Sequence, residues 1–218
     1  MKILLPFLAV IILLSYNKKE NTTGFKTQTT KGTKIAPHFI EGDFDGDGNR
    51  EKLVEFISDS LGNSTSLENI PEFEEWEDYV NFVFKKGIST HIYMEGKKAD
   101  TLDLGISAGV YCLINIGDIN KDKKDEIALV KDLPDFSRLN TCRIYTLCHS
   151  KWTELINFNV HEDAFDYYRT AEEPVFNEIK EFLEFHNGKW MYKDYLIDDY
   201  ETAEEVGKMK VLRIPKCK

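Results

Sequence analysis

The chain has 218 residues, with 28 Lys+Arg against 38 Asp+Glu, giving a formal net charge of −10. That acidic balance argues against a nucleic-acid binder, which carries a basic patch and a high pI. Hydrophobic residues make up 42% and charged residues 30%, so there is apolar material for a core and a wholly disordered chain is excluded.

The first residues read as targeting. Lys2 precedes an apolar run from Ile3 to Leu14 that only Pro6 interrupts. The run is shorter than the ~20 residues a membrane-spanning helix needs, and it fits the apolar part of a secretory signal. Residues 1–16 are therefore expected to be a signal peptide. The mature chain is expected to have no transmembrane span and to reside in the periplasm, the cell envelope or outside the cell. Leu13-Leu14-Ser15 resembles the end of a bacterial lipoprotein signal, but Tyr16 stands where that signal has its lipid-bearing Cys. Residues 17–35, rich in Thr, Lys, Asn and Gly, read as a flexible linker. A single β-rich domain is expected over 36–218, in two units of about 38–110 and 111–218.

The first unit opens on an acidic loop, Gly42-Asp-Phe-Asp-Gly-Asp-Gly-Asn-Arg-Glu51, followed by the β-leaning Lys52–Ile57. A short helix is expected around Glu72–Tyr79, where charged and aromatic residues mix without alternation. A hairpin is expected next, from Val80–Phe84 through Lys85-Lys86-Gly87 to Thr90–Tyr93. Gly105-Ile-Ser-Ala-Gly109 matches the pattern of a nucleophile elbow, which needs a strand before the Ser and a helix after it. The β-formers of Val110–Ile116 follow instead, so the stretch reads as a turn between the units.

The second unit repeats the acidic loop as Gly117-Asp-Ile-Asn-Lys-Asp-Lys-Lys-Asp-Glu126, at an offset of 75 residues. Two hairpins follow it. Arg143–Cys148 turns through His149-Ser150 into Lys151–Ile156. Glu181–His186 turns through Asn187-Gly188 into Lys189–Tyr195, the strongest short-range hairpin signal. A short helix is expected at Pro174–Lys180. Trp152 and Trp190 follow the turns as packing residues. Cys112, Cys142, Cys148 and Cys217 match no zinc spacing, and in an exported chain they allow three disulfide connectivities. Cys112 reads as a small buried hydrophobe.

The acidic loops carry the chemistry. Alternate residues of a tight loop turn their oxygens to one centre, and calcium takes six to eight oxygens. Loop one would offer Asp43, Asp45, Asp47, the carbonyl of Asn49, and Glu51. Loop two would offer Asp118, Asn120, Asp122, the carbonyl of Lys124, and Glu126. An EF-hand needs a Glu at position 12, where these loops have Val54 and Leu129. Both loops resemble the D-x-D-G-D-G-x-x-D motif of the FG-GAP, or VCBS-repeat, family of integrin-like extracellular proteins, whose loops bind Ca2+ between strands. Loop one departs by Glu51, and loop two by Lys121 and Lys123 in place of glycines, so charge and flexibility make loop one the expected stronger site.

That resemblance implies a mainly β fold of two to three blade-like antiparallel sheets or hairpins with a few short helices. The chain is too short for a closed propeller of at least four blades. The function expected is a calcium-stabilised binding module at the cell envelope, engaging a protein or glycan. The alternative is a small glycosidase-like envelope hydrolase using the carboxylates of Glu72–Asp78, His161-Glu162-Asp163 and Asp198-Asp199.

Overall fold

The computed structural model describes residues 38–65, 69–135, 137–161, 164–165, 179–196 and 205–217. The expected signal peptide and linker lie outside them, as do Glu162, Asp163, Asp198 and Asp199. Of the expected helix at Pro174–Lys180 only Ile179 and Lys180 are described, in a bridge and a turn.

The described chain is mainly β, and every strand pair is antiparallel. The first sheet holds β1 (Phe39–Gly42), β2 (Glu51–Ser58), β4 (Ser89–Met94) and β5 (Lys97–Ile106) in that order, with β3 (Ser64–Thr65) paired to β2. The second is a meander of β6 (Val110–Gly117), β7 (Glu126–Lys131), β8 (Leu139–Cys148) and β9 (Lys151–His161). A three-stranded sheet follows, made of β10 (Leu183–His186), β11 (Lys189–Tyr192) and β14 (Lys210–Val211). The pair β12 (Tyr195–Leu196) and β13 (Glu205–Val206) accompanies it. The first two sheets share one plan, in which a strand, an acidic loop and three further strands run side by side.

Side chains alternate across a strand, and that period decides which sheet buries which residue. On one face of the second sheet, Leu113, Ile127, Leu129 and Leu147 pack with Leu53 and Ile92 of the first. On the other, Ile114, Ala128 and Ile144 pack with Leu183 of the third and with Phe182 just before it. The second sheet is thus sandwiched, and this explains why β7 reads as one continuous apolar run rather than an alternating one.

One expectation fails here. Val80–Phe84 is not the first arm of a hairpin but lies inside α1 (Trp76–Lys86), the α-helix among the described residues. Tyr79, Phe82 and Val83 fall on one helical face and pack with Ile57 and Ile88, so the 3.6 period wins over the local alternation. The expected helix at Glu72–Tyr79 is shifted towards the C-terminus. Gly87, at φ 61°, ends α1 in the left-handed conformation, and its N–H returns to the last-turn carbonyls. The strand expected at Thr90–Tyr93 is present as β4, and it turns at Glu95-Gly96 into β5.

The two later hairpins form as expected, and all four of their turn residues take positive φ: His149 (48°), Ser150 (62°), Asn187 (50°) and Gly188 (74°). Such turns match the twist of the flanking strands. Cys148 is bonded to Cys217, with Cα atoms 5.7 Å apart, while Cys112 and Cys142 are free and buried. The free pair flank Val130 from neighbouring strands. Two strand spacings put them roughly 10 Å apart, beyond reach of a bond. No helix among the described residues is long and apolar enough to cross a membrane.

Candidate metal centre

Each acidic loop closes a hairpin whose base is a Gly–Glu pair. Gly42 faces Glu51 at the β1–β2 junction, and Gly117 faces Glu126 at the β6–β7 junction. The third residue of each loop is apolar and anchors it. Phe44 is fully buried in the core between the first two sheets, and Ile119 packs against the core on the far side. From there the backbone rises into solvent and turns.

The same hydrogen bonds hold both loops. Glu51 Oε2 accepts from Phe44 N (2.9 Å), and Glu126 Oε2 accepts from Ile119 N (2.9 Å). Asp43 Oδ2 accepts from Gly48 N (3.1 Å), as Asp118 Oδ2 does from Lys123 N (3.0 Å). Asn49 N donates to Asp47 Oδ1 at 2.8 Å, and Lys124 N to Asp122 Oδ1 at 3.1 Å. The backbone follows suit: Gly46 and Gly48 have φ of 81° and 90°, and Lys121 and Lys123, at the same places in loop two, have 63° and 74°. Lysine at a left-handed position costs about 1 kcal/mol that glycine avoids. Loop two keeps the conformation regardless.

These turns gather the carboxylates. Ligand oxygens of Asp43, Asp45, Asp47 and Glu51 lie within 4.8 Å of one another, and so do those of Asp118, Asp122 and Glu126. Either cluster can hold a cation, and an all-oxygen donor set suits a hard one. Asn120, the remaining side chain expected to ligate in loop two, is 6% exposed. Its Nδ2 donates to Glu126 Oε1 at 2.7 Å, yet its Oδ1 is buried without a hydrogen-bond partner. A buried carbonyl oxygen left unpaired costs roughly 1–3 kcal/mol, and a cation would satisfy it. The donor residues therefore fit a metal ion. Asn49 and Lys124, expected to offer carbonyls, are set in place by the N–H bonds described above.

Burial sets the electrostatics. Glu126 is 0% exposed, and desolvation pushes its carboxyl up to about 7, against the pull of the Ile119 and Asn120 N–H groups. Glu51, less buried, is raised in the same sense and for the same reason. Asp45 is lowered, chiefly by its hydrogen bond to the Lys97 ammonium. Lys97, on the first residue of β5, forms an ion pair with Asp45 Oδ2.

The loops also grip each other. Asp125 N donates to Asp43 O (2.8 Å), Asp43 N donates to Asp125 Oδ2 (3.2 Å), and Asn115 Nδ2 bridges Glu41 O and Asp125 Oδ2. Gly42 makes room for this contact, since a Cβ there would stand 2.4 Å from Asn115 Nδ2. Lys97, Asn115 and Asp125 were not legible as site residues. Lys97 reaches loop one only through the β4–β5 turn, and Asn115 and Asp125 act only once the two sheets pack. Two further contacts surround loop two: Trp190 Nε1 donates to Ile116 O (2.8 Å), and Lys216 Nζ to Lys121 O (3.0 Å).

Of the catalytic candidates, Glu162, Asp163, Asp198 and Asp199 lie outside the described residues. The carboxylates of Glu72–Asp78 are exposed side by side and form a solvated face. Ser107 is fully buried, its hydroxyl donating to Gly105 O at 3.0 Å, in the link between β5 and β6. Ser58 Oγ meets His91 Nε2 at 3.1 Å, and His91 Nδ1 lies 3.5 Å from Asp103 Oδ1. A nucleophile must be open to substrate and its orienting acid sheltered. Here Ser58 is 5% exposed and the Asp103 side chain 70% exposed, so the chain of contacts works as cross-strand packing.

No protein-family model matches this chain, and no curated protein or solved structure matches it. The two loops share a bonding scheme and a pattern of positive φ, and each gathers carboxylates that could hold a metal ion.

Proposed function

We propose that the protein is an exported, calcium-stiffened β-module that binds a protein or glycan at the cell envelope, with acidic loops of the FG-GAP type. The observation that carries the calcium reading is the unpartnered, buried Oδ1 of Asn120 beside three convergent carboxylates, in a loop whose twin gathers four more. Asp43, Asp45, Asp47 and Glu51 would hold one ion, and Asp118, Asn120, Asp122 and Glu126 another. A bound divalent ion would supply positive charge where acids are crowded. The chain's own residues keep the loops in shape through the N–H bonds of Asp43 and Asp118, so less ordering is left to lose when a partner binds.

Export draws support from the apolar run at Ile3–Leu14 and from the Cys148–Cys217 disulfide, since such bonds persist in oxidising compartments. The exposed acids at 72–78 favour a binding role over hydrolysis.

Thermal unfolding with millimolar calcium and with a chelator tests the metal. Ions bound to the folded state alone raise the midpoint, and an unchanged midpoint would make the loops ordinary turns. Cell fractionation tests export, which is overturned by an uncleaved chain in the cytoplasm. Capture of envelope proteins or glycans on the immobilised chain, with and without chelator, tests the binding role. No calcium-dependent partner in either class removes it.

A further inference from the structure

We infer that the two loops use different cations: loop one is closed by the chain's own Lys97 ammonium, and loop two is the tight calcium site. This rests on the calcium reading above and reverses the order that carboxylate number alone suggests.

In loop one the ammonium is already seated. Lys97 Nζ pairs with Asp45 Oδ2, and it lies close enough to feel Glu51 and Asp47 as well. It brings the cluster of Asp43, Asp45, Asp47 and Glu51 from four negative charges to a net three. An entering divalent ion must move Lys97 off Asp45 or accept a like charge at close range, and both weaken binding. The loop is half open to solvent, with Asp47 exposed, so water competes for the same oxygens.

Loop two gathers three carboxylates and has no such guest. Among the described residues, no ion pair joins a lysine to Asp118, Asp122 or Glu126. The ammonium of Lys124 is drawn away to Leu147 O at 2.6 Å. Lys151 holds the place equivalent to Lys97, first after the β8–β9 turn, and it is exposed. Asp118 is exposed, as Asp47 is in loop one, but Glu126 and Asn120 are both buried, and Asn120 Oδ1 has no hydrogen-bond partner. Two buried donor residues and no competing ammonium favour a hard cation in loop two over the larger but self-neutralised carboxylate set of loop one.

Calcium titration calorimetry on the whole mature protein reads this out, with circular dichroism to verify folding. The unmodified protein should show one tight site and one at least tenfold weaker. Lys97→Gln, a change at a half-exposed side chain, should leave the tight site alone and strengthen the weak one by tenfold or more. Asp122→Asn should weaken the tight site by at least tenfold, and Asp47→Asn should touch only the weak one. Unchanged affinities in Lys97→Gln, or a tight site lost in Asp47→Asn and kept in Asp122→Asn, overturn the assignment while leaving calcium binding intact. No calcium heat in the unmodified protein or in Lys97→Gln removes the calcium reading itself.

Discussion

At loop one, Asp45 meets the Lys97 ammonium, Glu51 is part-exposed, and glycines occupy the left-handed positions. At loop two, Glu126 is wholly buried, Asn120 keeps an unpaired oxygen, and lysines occupy those same positions at a backbone cost. The loops nevertheless have matching hydrogen bonds. Loop shape is thus set by short-range Asp-to-N–H bonds, whereas the burial of the loop's glutamate depends on which sheet lies beneath. The first sheet has one face on the core; the second is covered on both. Burial therefore falls on Glu126 and not on Glu51.

The sharpest way to separate the two units is to cut the disulfide. Cys148 and Cys217 are 69 residues apart, and closing a loop of that length is worth about 4 kcal/mol by chain entropy. Cys217→Ser should lose that in a urea titration. Hydrogen exchange should quicken in β8 and in loop two, which Lys216 touches, and stay slow in β2 and β4. Equal loosening of both sheets would show that they are one cooperative unit.

A smaller effect contrasts the two glutamates. Glu126→Ala leaves the Ile119 and Asn120 N–H groups and Asn120 Nδ2 without their acceptor, a loss of about 3 kcal/mol. Glu51→Ala strips one acceptor from Phe44 N in a wetter place, about 1 kcal/mol. Chemical denaturation in chelator measures both, and equal losses would break the contrast.

Gly42→Ala probes the grip between the loops. Its Cβ would fall 2.4 Å from Asn115 Nδ2, 2.6 Å from Asp125 Oδ2 and 2.8 Å from Phe44 Cζ. Overpacking of this kind costs about 2 kcal/mol. Combining it with Asn115→Ala should cost less than the sum of the two changes. Full additivity would mean that Gly42 has another role.

The smallest expected effect is a gain. Lys123→Gly should relieve the left-handed strain at φ 74° and stabilise by up to about 1 kcal/mol. For a chain of this size that is a rise of roughly 2–4 °C in the melting midpoint. Gly48→Lys, the same exchange run backwards in loop one, should lower it. A fall in both variants would mean that Lys123 contributes a contact outweighing its strain.

Residue type and spacing alone determined the mainly β architecture, both loop positions, and the turns at His149-Ser150 and Asn187-Gly188. These depend on neighbours in the chain: alternation picks out strands, small or polar residues tolerate positive φ, and Asp at alternate places bonds its own loop's N–H groups. The tertiary structure decided that Val80–Phe84 joins a helix, because Ile57 and Ile88 offer a surface to its 3.6-residue face. It likewise decided that Cys148 pairs with Cys217, that Lys97 reaches Asp45, and that Glu126 loses its water. Each of those outcomes joins residues from distant parts of the chain. Their distances and dielectric exist only after the sheets have packed, so charge counted along the sequence does not foretell them.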